Sequence, residues 1–222
     1  MKLRLLSATA ALAGLIAAPA SAQFTIGTSN GQNCFPFGCQ SGTSTRYQQV
    51  YRAGAFSGPV SITSVAFRNP SAGTLNEGTF QMYLSTTTLG LNVDGPAGIS
   101  SVSFDANRGA DNVLFATLVI PSGSTATQVY FSGAAFSYNP GAGNLLVDIV
   151  SNITTGGSAS LEAMNGGSAD FSRVHDFGTA FEEWGLVTDF NGRPNTVVPE
   201  PGTVVLMGSG LVALVAAARR KR

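Results

Sequence analysis

No lysine stands between residues 23 and 198, and that stretch sets six arginines against eleven carboxylates. Its net charge of −5 excludes electrostatic binding to nucleic acid. The other six of the chain's twelve cations sit at its two ends, which is how the formal sum over 222 residues comes to zero. Histidine occurs once, at His175, and cysteine twice, at Cys34 and Cys39, so the Cys/His ligand set of a structural zinc cannot be assembled. Scarce lysine and glutamate disfavour helices, while abundant Gly, Ser, Thr, Val and Phe suit strands joined by turns. Roughly 175 residues between the ends are enough for one domain with its own core and too few to make two the natural expectation.

The ends read as targeting segments and are set aside from the fold. Lys2 and Arg4 form a positive n-region, residues 5–18 an apolar h-region, and Ala20-Ser21-Ala22 a small-residue cleavage pattern, so the mature chain is expected to begin at Gln23. A retained anchor would need roughly 20 apolar residues and a buried helix would need a polar face; this stretch has neither. Export through the Sec translocon with removal by signal peptidase is the expectation. At the other end residues 202–218 carry no charge and as a helix would reach roughly 25 Å, enough for a thin hydrocarbon core. Arg219, Arg220, Lys221 and Arg222 follow at once, and such a cluster keeps a tail cytoplasmic. The implied topology is N-out, C-in, and four adjacent charges fit a stop-transfer signal better than a buried C-terminal helix.

Val198, Pro199, Glu200 and Pro201 stand just outside that apolar run. Two prolines resist helix and keep the peptide extended at the membrane face. Motif, apolar helix and basic tail in this order resemble the PEP-CTERM sorting signal. The resemblance implies recognition by exosortase, an integral-membrane transpeptidase with a cysteine nucleophile, in Gram-negative bacteria that make exopolysaccharide. It implies cleavage near Pro199-Glu200-Pro201 and transfer or release of the outer part, hence transient anchoring in the inner membrane before arrival at the cell surface or outside the cell. Thr45-Arg46-Tyr47-Gln48-Gln49-Val50-Tyr51 and residues 138–149 are also similar to the body of a common group of PEP-CTERM proteins, a likeness that bears on fold and carries no activity.

Between the ends, period-two alternation predicts strands. In residues 79–85, Phe80, Met82 and Leu84 share one face, and Thr79, Gln81, Tyr83 and Ser85 the other. Further strands are expected at 46–52, 60–68, 101–105, 112–120, 128–136, 144–150, 159–164 and 184–190, separated by turn signals such as Asn139-Pro140-Gly141 and Gly166-Gly167. In 60–68 the apolar face passes from Val60 and Ile62 to Val65 and Phe67, which requires a bulge near Thr63 or Ser64. The expected architecture is a single all-β, jelly-roll-like sandwich. The corresponding divisions are 1–22 signal peptide, 23–45 polar segment, 46–192 sandwich, 193–198 linker and 199–222 sorting signal.

Candidate sites within the body are few. Cys34 and Cys39, in a chain bound for an oxidising compartment, are expected to pair. Gly27-Thr28-Ser29-Asn30-Gly31 matches G-x-S-x-G but lacks a strand-turn-helix setting, so a chance match is preferred. His175 and Asp176 would point to opposite faces of a strand, and the lone histidine is expected on the surface. Glu182 and Glu183 cannot converge on one glycosidic bond, and a solvated loop beside Trp184 is expected. Asp105, Asn107, Gly109 and Asp111 place alternate oxygens around a turn as in part of a calcium loop, yet Arg108 intrudes and no bidentate Glu follows; an ordinary turn is preferred. Tyr47, Gln49 and Tyr51 share a strand face that could stack on sugar rings if exposed, with core packing the preferred alternative. The expectation is a non-enzymatic exported surface or matrix protein, without cofactor, associated with exopolysaccharide and biofilm. A lectin-like glycan-binding module is the alternative, and a secreted hydrolase a distant third.

Overall fold

The computed structural model describes residues 23–39, 44–176 and 183–192. Among them the chain forms no α-helix and twelve strands: β1 (Phe24–Ile26), β2 (Gly31–Asn33), β3 (Ser44–Tyr51), β4 (Val60–Arg68), β5 (Glu77–Thr87), β6 (Val113–Ile120), β7 (Gln128–Tyr138), β8 (Asn144–Thr155), β9 (Leu161–Met164), β10 (Phe171–His175), β11 (Gly185–Leu186) and β12 (Thr188–Phe190). They pair antiparallel in a five-stranded sheet β10-β3-β8-β5-β6, a four-stranded sheet β1-β12-β4-β7 and a three-stranded sheet β11-β9-β2. The pairs β2/β9, β3/β8, β4/β7 and β5/β6 are nested, as in one long antiparallel ribbon folded over on itself. Residues 185–190 are inserted into it, since β11 pairs with β9 and β12 lies between β1 and β4.

Alternation decides which face of each strand goes inside. Phe80, Met82 and Leu84 of β5 meet Tyr47 and Tyr51 of β3, Val147 and Ile149 of β8, and Val65 and Phe67 of β4 in one core shared by the facing sheets. The face change in β4 occurs as expected: the β4/β7 register shifts between Ile62 and Ser64, where Ile62 opposes Phe136 and Ser64 opposes Ser132. β7 thus spends Gly133, Ala134 and Ala135 against Thr63 alone. Gly133 is needed there, because a Cβ would stand 2.0 Å from the carbonyl oxygen of Phe115 on the neighbouring β6.

The five-stranded sheet is covered on its outer face too. Residues 88–112, which link β5 to β6, lay Leu91 and Ile99 against Val50, Leu146 and Val174, with Leu89 and Phe104 at the margin. This second cluster corrects one expected strand. Residues 101–105 alternate in sequence, but the chain there runs into a 3-10 turn at Phe104–Asn107, with Val102 93% exposed. Expected strand 184–190 is broken at Val187, whose N–H donates to the Glu162 carbonyl at 3.0 Å before the chain crosses from β9 to β4. Within the polar segment 23–45, β1 and β2 join two of the sheets, and Phe37 lies fully buried.

Phe37 reaches the core from the Cys34–Cys39 loop, which a disulfide closes. Its ring lies 5.1 Å from that of Phe80, 5.5 Å from Phe67 and 6.1 Å from Phe131, so one residue touches strands of both facing sheets. Asn76 fastens the loop, its backbone N–H donating to the Phe37 carbonyl at 2.6 Å and its Nδ2 to that of Pro36 at 2.8 Å. Burial of such a side chain contributes roughly 1.5–3 kcal/mol.

Candidate functional site

Val198, Pro199, Glu200, Pro201, the basic tail and the Ala20 and Ala22 cleavage residues all lie outside the described residues. The structure does place the attachment points of both ends. Gln23 is exposed and leads directly into β1, which pairs with β12, the last strand among the described residues. Beyond β12, Asn191 takes a left-handed backbone conformation (φ 54°) and turns its side chain into the β4 bulge. Its Oδ1 accepts from the Thr63 N–H at 2.8 Å, its Nδ2 donates to the Ser61 carbonyl at 3.0 Å, and its own N–H donates to the Ser64 carbonyl at 2.9 Å. The distorted strand is thereby satisfied, and the chain is fixed up to Gly192, whose carbonyl accepts from the Ser64 hydroxyl at 2.8 Å. Beside this base a cleft of about 510 Å³ is lined by Phe24, Phe56, Pro59 and Val60 with the hydroxyls of Ser57 and Ser61.

The Tyr47, Gln49, Tyr51 stripe is core. All three are fully buried and serve as a polar seam between β3 and the inserted strands. Tyr47 donates its hydroxyl to Gln49 Oε1; Gln49 Nε2 donates to the Leu186 carbonyl at 2.9 Å while Oε1 accepts the Leu186 N–H at 2.9 Å. Tyr51 shares a hydrogen bond of 2.6 Å with Thr188. Burial, reinforced by neighbouring Tyr47, pushes the Tyr51 phenol well above its ordinary range. No ring of this stripe reaches solvent to stack on a sugar.

The possible calcium oxygens do not converge. Asn107 is buried and its Nδ2 donates to Gln48 Oε1 and to the Ser100 carbonyl, each at 2.7 Å. Asp111 accepts the Thr86 N–H at 2.7 Å, and at Gly109 a Cβ would stand 1.7 Å from the Thr86 carbonyl oxygen. Asp105 turns instead to cations. Arg46 and Arg108 both reach it, and both reach Asp148, whose side chain is only 1% exposed on β8. Arg46 grips Asp148 through Nε at 3.1 Å and Nη2 at 2.8 Å, and Arg108 Nε closes at 2.6 Å. The guanidinium of Arg46 also stacks on Phe104 at 5.1 Å, and that of Arg108 on Tyr83 at 4.7 Å. The hydrogen bond from Arg46, then its charge and that of Arg108, hold the Asp105 carboxyl below the usual carboxylate range. Chemically this is a clamp that pins the 88–112 segment to the sheet. The sequence hinted only at its Asp105/Arg108 pair; Asp148, forty residues away, carried no local signal.

The remaining candidates are dispersed. Ser29 sits in the β1–β2 turn and donates to the Gly31 carbonyl at 3.2 Å. His175, expected on the surface, is 6% exposed at the end of β10, its ring 5.3 Å from that of Phe35. Asp176 accepts the Arg46 N–H at 3.0 Å. Glu183 is exposed, Glu182 lies outside the described residues, and Trp184 is half-buried under the Arg173 guanidinium, 4.4 Å from its ring. Among the described residues no three of His, Cys, Asp and Glu are grouped to hold a metal ion, and no helix is long and apolar enough to cross a membrane.

Comparison with known proteins bears on the C-terminal end. Residues 197–222 match the family model for the PEP-CTERM protein-sorting motif. No curated protein and no solved structure matches the chain. The chain thus carries the PEP-CTERM protein-sorting motif at its C-terminal end, and that motif implies an exported, transiently membrane-anchored protein with exosortase as its processing partner.

Proposed function

We propose that this is a non-enzymatic surface or matrix protein. Its all-β body is exported through the Sec translocon, freed of its signal peptide after Ala22 and held N-out, C-in by residues 202–218. It is then transferred or released by exosortase at Pro199-Glu200-Pro201 and retained among exopolysaccharide in a biofilm. The observation that carries the reading is the match of the sorting motif to residues 197–222. Nested strand pairing supports a jelly-roll-like sandwich as the exported unit. The lectin-like alternative has lost the surface that suggested it, since Tyr47, Gln49 and Tyr51 are core.

The test is replacement of Pro199, Glu200 and Pro201 by alanine in exosortase-competent cells. The variant is expected to accumulate at full length in the inner membrane while the native chain is shortened and leaves it. Persistence of the native chain at full length in that membrane would sink the reading. A glycan array probed with the isolated body is expected to give no selective binding, and saturable binding to one glycan would instead support the lectin.

A further inference from the structure

One processing site in this chain stands against a locked strand. β1 is laddered to β12 through Phe24/Phe190, Thr25/Asp189 and Ile26/Thr188. The Phe24 ring stacks on Phe190 at 5.2 Å and meets Phe56 edge-on at 5.6 Å. Thr25 donates its hydroxyl to Asp189 at 2.5 Å, and Ile26 is 4% exposed. Only Gln23 separates this strand from Ala22, the residue after which signal peptidase is expected to cut. Hydrolysis of the Ala22–Gln23 amide, with water giving the Ala22 carboxylate and the Gln23 ammonium, needs the peptide extended in a protease cleft on both sides of the bond. On the leaving side, residues 24 and 25 have their backbone already committed to β12. At the C-terminal end, by sequence, six residues, 193–198, separate Gly192 from Pro199, a covalent reach of up to about 20 Å.

We propose that signal-peptide removal must precede the docking of β1 on β12, so that the folded precursor resists signal peptidase and the two ends are processed in a fixed order. The proposal rests on cleavage at Ala22–Gln23. Synthesis supplies the window. The partner strand, Thr188–Phe190, is made some 160 residues after β1, which at 5–20 residues per second is on the order of 10–30 s during which β1 has nothing to pair with. Once β12 arrives, cleavage follows the fraction of molecules with β1 undocked.

The full chain is compared with a variant carrying a six-residue Gly-Ser spacer between Gln23 and Phe24. Signal peptidase is depleted until precursor accumulates and folds, synthesis is stopped, and the peptidase is restored. The native precursor should be cleaved at least about tenfold more slowly than the spacer variant. Phe24→Ser, which loosens β1 without adding length, should fall between them. Equal rates for native and spacer chains, with N-terminal sequencing placing both cuts before Gln23, overturn the proposal and leave the cleavage reading standing. A mature N-terminus elsewhere overturns that reading and the proposal with it.

Discussion

Phe80 and Tyr83 stand three residues apart on one strand and are expected to answer the same substitution in opposite ways. Phe80 is fully buried with its ring 5.1 Å from Phe37, so Phe80→Asp places an unpaired carboxylate in the core and should cost upwards of about 4 kcal/mol, enough to unfold a marginal body. Tyr83 is half-buried on the outer face beneath Arg108, and Tyr83→Asp should cost about 1 kcal/mol or less. Urea unfolding of the isolated body checks both, and equal losses would refute the register. Asp148→Ala should rank with the core change, at about 3–5 kcal/mol, because it removes the buried carboxylate that two guanidiniums share and leaves them Asp105 as a carboxylate partner. Much of β5 was legible in its alternation because one of its faces is core and the other is not. The role of Asp148 was not, because its two partners come from β3 and the 88–112 segment and meet it only through the tertiary fold.

At the scale of elements, legibility followed one-sided burial. β4 could be read in its bounds and in its change of face, although the extra chain that reconciles the two halves lies on β7, where Gly133, Ala134 and Ala135 stand against Thr63. β10 could not: Phe171–His175 is buried at every position, polar Ser172, Arg173 and His175 among them, so no alternation marks it. Residues 101–105 failed the other way, with an alternating pattern on a chain that folds back over the sheet instead of joining it. That covering segment should be the acid-sensitive part of the body. The hydrogen bond from Arg46 lowers the Asp105 carboxyl, and that from Arg52 lowers the Asp94 carboxyl. A carboxyl that is more acidic folded than unfolded adds stability that is complete above the unfolded value of 3.8 and is lost as pH falls through the folded one. Stability measured by urea should therefore drop on acidification below about pH 4, and the double variant Asp94→Asn, Asp105→Asn should show a shallower drop from a lower starting point. The Cys34–Cys39 loop gives a further contrast. Replacing both cysteines by serine should remove about 2 kcal/mol, the entropy of a small loop, whereas Phe37→Ala should remove about 3–5 kcal/mol because it opens a cavity between both sheets.

Taken whole, the molecule is a folded body whose two ends meet on one strand pair, β1/β12, and the covalent length of the six residues between Gly192 and Pro199 limits how far the sorting motif can stand from it. Asn191 bolts the chain beside Thr63 of β4, and the Gly192 carbonyl is held by the Ser64 hydroxyl. The six residues 193–198 then carry the motif at most about 20 Å from the body. That is short of the width of a domain, so a membrane enzyme that binds Pro199-Glu200-Pro201 would have to work with the body close to the membrane surface. Deleting 193–198 should accordingly slow C-terminal processing severely while leaving export intact, because the motif would have to be bound flush against β12. Replacing the same six residues by Gly and Ser should leave processing near its native rate, since length and not identity is what the geometry requires. Pulse labelling followed by fractionation reads both. If the deletion is processed as fast as the native chain, Asn191 does not hold the base of the tether during sorting, and the chain must peel away from β4 before the enzyme acts.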